Sequence, residues 1–291
     1  MSEVSFKLPE VIVNQYRKAE PLKAVCVEKK ILVEGESGSD VCHIVFDTKD
    51  YKYKEGQSAP VIPPGENEQG KAHNPRLYSI ASMGNDINHN EKLTLCVRRV
   101  VYNDESTGKE VKGVCSNYLC DLKEGDEVLM TGPSGRKYLL PDTSEINRPY
   151  VFLATGTGIA PFRGMIDRLL NHTPEFNSPI YLFFGARYKS EMMYEDEFSK
   201  IENPNFHYIQ AISREQKNKE GGRMYVHHRM IEMSEELAGI LQNDKTIIYL
   251  CGLKGMEEGI EEAMQVISKE LGESENYLIN KFQGRILKEV Y

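Results

Sequence analysis

Three short stretches carry side chains that ordinary secondary structure does not require. In RLYSIAS (76–82), Arg76, Tyr78 and Ser79 fall within four consecutive positions. A half-buried strand alternates apolar and polar residues, whereas this one groups a cation, an aromatic ring and a hydroxyl. In TGTGIAP (155–161), two glycines permit a backbone to approach a pyrophosphate closely. A helix that follows would aim unpaired N–H groups and the positive end of its dipole at that anion. A tight connection uses the same glycines, and Pro161 stands where a dinucleotide fingerprint has its third small residue. SREQ (213–216), with Arg223 and Tyr225 close behind it, opens with Ser213 and Arg214 at the strand end where a ribose 2′-hydroxyl would call for an acid. Ser213, Arg214, Arg223 and Tyr225 offer a hydroxyl, bidentate charge and a stacking face, which suit a phosphate and favour NADP(H) over NAD. Arg214 reads equally well as a solvated charge after a strand.

Two further stretches are more ambiguous. CGLKG (251–255) closes an apolar run, so Cys251 and Gly252 mark a place where backbone and ligand can meet. A buried cysteine also packs without doing chemistry. KGVCSNYLCDL (112–122) has a small-residue entry and then a helical pattern. Ser116 is the expected cap of that helix, whose N-terminus is either a second pyrophosphate site or an ordinary capped end.

The elements that must position these residues change rhythm midway. VCHIVFD (41–47), RLYSIAS, KLTLCVRRVVY (92–102) and DEVLMTGP (126–133) read as strands separated by turn signals such as PPGENEQG, DESTG and KEGD. Short strands at this spacing predict a closed or nearly closed antiparallel barrel. SEINRP (144–149) has the character of a linker. Beyond it, YVFLA (150–154) reads as a buried strand, and Phe162, Met165, Ile166, Leu169 and Leu170 define one apolar helical face behind Pro161. PIYLFFGAR, FHYIQAISR and KTIIYLCG then alternate as strands with the helical MMYEDEFSKI, MIEMSEELAGIL and MEEGIEEAMQVISKEL. This alternation predicts a parallel sheet covered by helices, with ligands at the carboxyl ends of its strands.

Composition bounds the class. The 291 residues suggest two domains. A formal net charge of −8 argues against a general nucleic-acid binder. No apolar run approaches the ~18 residues of a membrane helix. The start MSEVSFKLPEV shows no secretory pattern. Six scattered cysteines without a CxxC pair argue against a zinc site and for a reducing compartment.

RLYSIAS, KGVCSNYLCDL, ATGTGIAPFR, SREQ, MYVHHRM, CGLKGME and a final EVY occur in this order. Each is modest alone; as an ordered set, from near Glu20 to Tyr291, they closely resemble the plastid-type ferredoxin–NADP+ reductases. The resemblance implies an antiparallel β-barrel domain holding FAD (1–147) and an α/β parallel-sheet domain holding NADP(H) (148–291). It implies that Arg76 neutralises the FAD pyrophosphate, Tyr78 stacks on the flavin ring, and Ser79 approaches flavin N5. Cys115 and Ser116 would sit at the pyrophosphate and Tyr102 beside the adenine. Leu77, Cys96, Val97, Arg98, Gly113 and Val114 join them as cofactor-binding positions. Thr157 would line the NADP(H) site with Gly252 and Leu253, and Ser213, Arg214, Arg223 and Tyr225 would bind the 2′-phosphate. Ser79, Cys251, Glu289 and Tyr291 are the implied catalytic positions, the last as a ring covering the flavin face opposite Tyr78. No metal is implied. Ala154 and Arg223 depart from the family's glycine and lysine.

The implied activity joins two-electron NADP(H) to the one-electron carrier ferredoxin. A flavodoxin reductase or diaphorase with another partner would share every nucleotide motif, whereas a non-enzymatic nucleotide-binding module would need no groups at N5. An acidic ferredoxin calls for a local basic patch, and Lys18, Lys23, Arg98, Arg99, Lys281 and Lys288 are its candidates. The expected state is a monomer in a bacterial cytoplasm, or in a plastid if a transit peptide has been removed.

Overall fold

The computed structural model describes residues 5–35, 39–67, 69–84 and 91–291. Most of the polar run after RLYSIAS (85–90) and Glu68 of the Pro- and Gly-rich loop lie outside the described residues. The chain forms two units. One combines 10–140 with 160–172; the other combines 5–9, 141–159 and 173–291.

The first unit is a curled antiparallel sheet. Its strands are β1 (Leu22–Val33), β2 (Val41–Asp47), β3 (Ser58–Ile62), β4 (Arg76–Ser79), β5 (Lys92–Arg98) and β8 (Glu127–Met130), in the order β4-β3-β8-β1-β2-β5. The edges meet just beyond β4, where Ile80 bridges to Leu95 and the Ala81 N–H donates to the Thr94 carbonyl at 2.8 Å. The inward residues Ala24, Ile44, Phe46, Val61, Leu93 and Val128 are fully buried. A separate ribbon of β6 (Val101–Asn103) and β7 (Glu110–Lys112) leads into helix α1 (Val114–Asp121), whose Leu119 and Cys120 close the core.

Two sequence readings change here, KLTLCVRRVVY and Ser116, and two strands, β1 and β3, lie where no strand was read. KLTLCVRRVVY is two strands in different sheets rather than one: β5 ends at Arg98, and the chain turns at Arg99 and Val100. β1 escapes the alternation rule because two bulges, between Cys26 and Glu28 and between Ile31 and Val33, shift its faces and leave Ile31 exposed. β3 contains Pro60, which ordinarily demotes a strand; its carbonyl nonetheless accepts from Thr131 N–H at 2.9 Å. Ser116 does not cap α1. The N-cap position is Gly113, and the Ser116 hydroxyl accepts from Val100 N–H at 3.1 Å and donates to the Gly113 carbonyl at 3.3 Å. It ties the helix start to the chain leaving β5.

Helix α2 (Ile159–Asn171) packs largely within this unit. Phe162, Met165, Ile166 and Leu169 are buried, and the Phe162 ring lies 6.5 Å from that of Tyr138. A β-carbon at Gly164 would stand 2.5 Å from the Ser82 carbonyl oxygen, so only glycine lets the helix approach. Arg163 donates to the Ala81 carbonyl at 3.1 Å, and buried Arg168 lies 3.9 Å from buried Glu55.

The second unit is a five-stranded parallel sheet of β9 (Tyr150–Thr155), β10 (Ile180–Ala186), β11 (Phe206–Ile212), β12 (Ile247–Gly252) and β13 (Ile286–Val290), ordered β11-β10-β9-β12-β13. The chain winds outward from β9 in one direction and returns to its other side at β12, so the switch point lies between these strands, where such sheets bind ligands. Its helices are α3 (Glu195–Phe198), α4 (Val226–Glu232), α5 (Ser234–Gln242), α6 (Met256–Glu270) and α7 (Tyr277–Lys281). MMYEDEFSKI supplies only the single turn of α3, and MIEMSEELAGIL spans the break between α4 and α5 at Met233. Among the described residues no helix is long and apolar enough to cross a membrane.

Candidate active site

In the barrel unit, β4 pairs with β3 so that Arg76 stands opposite Val61 and Ser79 opposite Ser58. Arg76 and Leu77 are exposed, while Tyr78 and Ser79 are half-buried. The Tyr78 phenol meets the Cys115 thiol in the first turn of α1. Burial pushes both groups up, and nearby Arg76 opposes both shifts. A guanidinium and a tyrosine from one strand thus converge on a helix start whose first turn carries no acid. That is the chemistry of an anion site. Gly113 makes the start narrow, because a β-carbon there would lie 2.7 Å from the Ser116 hydroxyl.

Cys96 and Val97 are buried in β5, Arg98 is partly exposed at its end, and Tyr102 rides the ribbon. Leu77, Tyr102 and Val114 are 63%, 54% and 52% exposed, which leaves large apolar side chains on the unit's surface beside the anion site. Apolar surface next to fixed charge is what a ring-bearing phosphate ligand requires.

In the α/β unit, β9 ends at Thr155 and runs through one 3-10 turn, Gly156–Gly158, into α2. A β-carbon at Gly158 would collide with the Cys251 carbonyl, and one at Gly252 with the Thr155 hydroxyl. The loop therefore lies directly on the end of β12. Thr155 supports it from below: its Oγ1 accepts from Leu253 N–H at 3.1 Å and contacts Met256 Sδ at 2.8 Å. Sequence reasoning passed over Thr155, whose partners lie 98 and 101 residues away.

Cys251 is buried and aligned with Ala154 on one side and Glu289 on the other. In parallel register these three side chains share a face of the sheet. Tyr291 follows two residues beyond Glu289, just past the end of β13. Its N–H donates to the Gly252 carbonyl at 3.1 Å, its backbone oxygen accepts from Lys254 N–H at 3.2 Å, and its phenol and the Thr157 hydroxyl hydrogen-bond at 2.7 Å. The backbone is pinned while the ring remains 55% exposed.

The expected phosphate residues gather on the connection from β11 to α4. Ser213 N–H donates to Ala186 and Arg214 N–H to Arg187, which locks the start of the connection to the end of β10. Arg223 returns by bridging to Lys217, an exposed cation that the motif reading did not include. Tyr225 is the N-cap of α4, and its N–H donates to His228 Nδ1 at 3.0 Å. Burial, and then the neighbouring His228, push His227 below the ordinary imidazole range.

The basic-patch reading is narrowed. Lys23 lies 3.6 Å from Glu127, Arg99 2.8 Å from Asp121, Lys281 2.5 Å from Asp244 and Lys288 2.9 Å from Glu257. Lys18 instead contacts the Ala72 carbonyl and Asn74, and Arg98 has no ion pair among the described residues.

A curled antiparallel sheet with an anion-ready helix start, joined to a doubly wound sheet with Gly-rich and cationic strand ends, defines a nucleotide-dependent oxidoreductase. The oxidoreductase NAD-binding domain model matches residues 152–262. The chain is 45% identical over 275 residues to the ferredoxin–NADP reductase of Synechocystis sp., covering 91% of this chain and 66% of that protein. It is 42% identical over 281 residues to the leaf-type chloroplastic isozyme of Nicotiana tabacum, covering 94% and 77%. The solved ferredoxin–NADP+ reductase of Plasmodium falciparum with 2′P-AMP is similar with a TM-score of 0.72 at 25% identity, covering 96% of this chain and 99% of that one. The chain belongs to the ferredoxin–NADP reductase family.

Proposed function

We propose that this protein is an FAD-dependent oxidoreductase that exchanges electrons between NADP(H) and ferredoxin. The observation that carries the reading is the convergence of Arg76, Tyr78 and Cys115 on the acid-free start of α1, beside exposed apolar surface. These residues fit FAD: a cation and backbone N–H groups for its pyrophosphate, a ring and apolar side chains for its flat groups. FAD, when bound, supplies a carrier that accepts electrons singly or in pairs.

The chain's own residues divide the work. Arg76, Cys115 and Ser116 hold the pyrophosphate, with Leu77, Cys96, Val97, Arg98, Gly113 and Val114 completing the cofactor surface and Tyr102 at the adenine. Tyr78 orients the flavin, and Ser79 holds a hydrogen bond at N5. Thr157, Gly252 and Leu253 receive NADP(H), Cys251 and Glu289 border its nicotinamide, and Tyr291 screens that place until the nucleotide enters. Because the Tyr291 backbone is fastened at both its N–H and its oxygen, the screening ring moves by side-chain rotation alone. The FAD region is assigned to 1–147 and the NADP(H) region to 148–291, with 160–172 packing back into the barrel unit. The protein works as a monomer in the cytoplasm, and flavodoxin is a second acceptor.

Purified protein is expected to be yellow with one FAD per chain, and to reduce cytochrome c from NADPH only when ferredoxin is added. Ferredoxin-independent reduction at the same rate would remove ferredoxin as partner. Arg214→Ala is expected to raise KM for NADPH by about 10- to 150-fold, the range for losing a charge-assisted contact, with little change for NADH. An equal loss with both nucleotides would show that Arg214 does not read the 2′-phosphate.

A further inference from the structure

The α/β unit has a second concavity, at the end of the sheet opposite the Gly-rich loop. It is a cavity of about 370 Å³ built from the segments that enter β9, β12 and β13, and its walls include Thr143, Glu145, Arg148, Asp244, Lys245 and Arg285. The loops at 155–158 and 252–255 leave the same strands at their other ends. A six-residue strand at about 3.3 Å per residue separates the two places by roughly 20 Å.

Its charges do not balance locally. Arg148 and Arg285 are only 7% and 9% exposed. Arg148 is answered by the Glu145 carboxylate at 2.6 Å. Arg285 is not answered in this way. Its hydrogen bonds run to the carbonyls of Asp244, Thr246 and Lys281, and it lies over the Phe282 ring. Among the described residues no carboxylate oxygen comes within 4.0 Å of it. The Asp244 carboxylate turns outward and holds Lys281 at 2.5 Å. Burial pushes the Arg285 guanidinium down, and Arg148 adds to the shift while Asp244 offsets only part of it. Lys245, exposed at the rim, has no ion pair among the described residues.

A buried cation without an anionic partner is costly, and the remedy that chemistry offers here is a ligand. Arginine's planar fork matches phosphate oxygens, a lysine adds a point charge, and a threonine hydroxyl adds a neutral donor. Two uncompensated cations suit a dianion better than a single carboxylate. The volume lies at the small end of ligand pockets, enough for phosphate and a few attached atoms. We propose that this cavity is a phosphate-binding site, separate from the nucleotide loops, in which Arg285 and Lys245 neutralise inorganic phosphate or the phosphate of a small phosphomonoester.

The test is calorimetric titration of the FAD-loaded protein at saturating NADP+, which occupies the Arg214 loop, with chloride-matched buffer. Inorganic phosphate and glycerol 3-phosphate are titrated separately, and the tighter of the two names the source. A saturable single site is expected. Lys245→Glu, an exposed change that leaves the core untouched, is expected to weaken it by about tenfold or more, the factor for removing one charge-assisted contact and adding a repulsive one. Lys245→Arg is expected to retain it. Heats that never saturate, or an affinity that Lys245→Glu leaves unchanged, would overturn the proposal.

Discussion

Gly158→Ala is expected to weaken NADP(H) binding by about 5- to 150-fold while FAD stays in place. The added β-carbon would enter the Cys251 carbonyl, and a main-chain oxygen inside a five-stranded sheet has no rotamer with which to yield. Either the 156–158 turn lifts or the end of β12 shifts. Overpacking of this kind costs about 1–3 kcal/mol, and both remedies displace Thr157, Gly252 and Leu253 together. The barrel unit's anion site lies on β4 and α1, which the substitution does not touch. Two readouts are needed: nucleotide binding by difference spectrum and flavin content by absorbance. Retained NADP+ affinity would show that the loop is slack, and loss of both cofactors would show that the two sites are not separable.

Ser79→Ala is expected to lower the rate of hydride transfer by about 10²- to 10³-fold, the scale for removing one preorganised donor at a reacting centre. Ser79 occupies a half-buried place on β4, in register with Ser58 across the pair. Loss of its hydroxyl leaves the strand's backbone ladder whole, so FAD is retained and KM for NADPH changes little. Single-turnover reduction isolates the step. Ser79→Thr keeps a hydroxyl at the same backbone position and is expected to recover part of the rate. A normal single-turnover rate in Ser79→Ala would place the hydroxyl outside the chemistry.

What could be read from the sequence depended on how far each residue's partners lie along the chain. Arg76, Tyr78 and Ser79 were legible because their types conflict with an ordinary strand over four positions. The parallel sheet was legible because its strands are continuous apolar runs between helical ones, buried from end to end in β12. β13 was not, since two of the five residues of ILKEV are charged and it acquires its place only by pairing with β12. Ser116 was misread because a serine near a helix start ordinarily caps it, whereas here its partner, Val100, comes from the preceding strand exit. Lys217 had no signal at all, since its relation to Arg223 is a bridge within an irregular loop. The ion pairing of the docking candidates was equally invisible: Asp244 holds Lys281 from 37 residues away.

Helix α2 limits how this protein can be divided. The chain crosses between its two units near residues 9, 140, 159 and 172, so no single cut separates them. A gene fragment ending at 147 would lack Phe162, which lies beside Tyr138, and Met165, which approaches Gly56. It would also lack Arg168, leaving Glu55 as a buried carboxylate stripped of its cation. Such a fragment would present raw interior to solvent and invite self-association. A nucleotide-specificity cassette exchanged between relatives at that point would carry away a wall of the recipient's barrel. Modular grafting here has to exchange three separate stretches of chain, leaving 160–172 with the host.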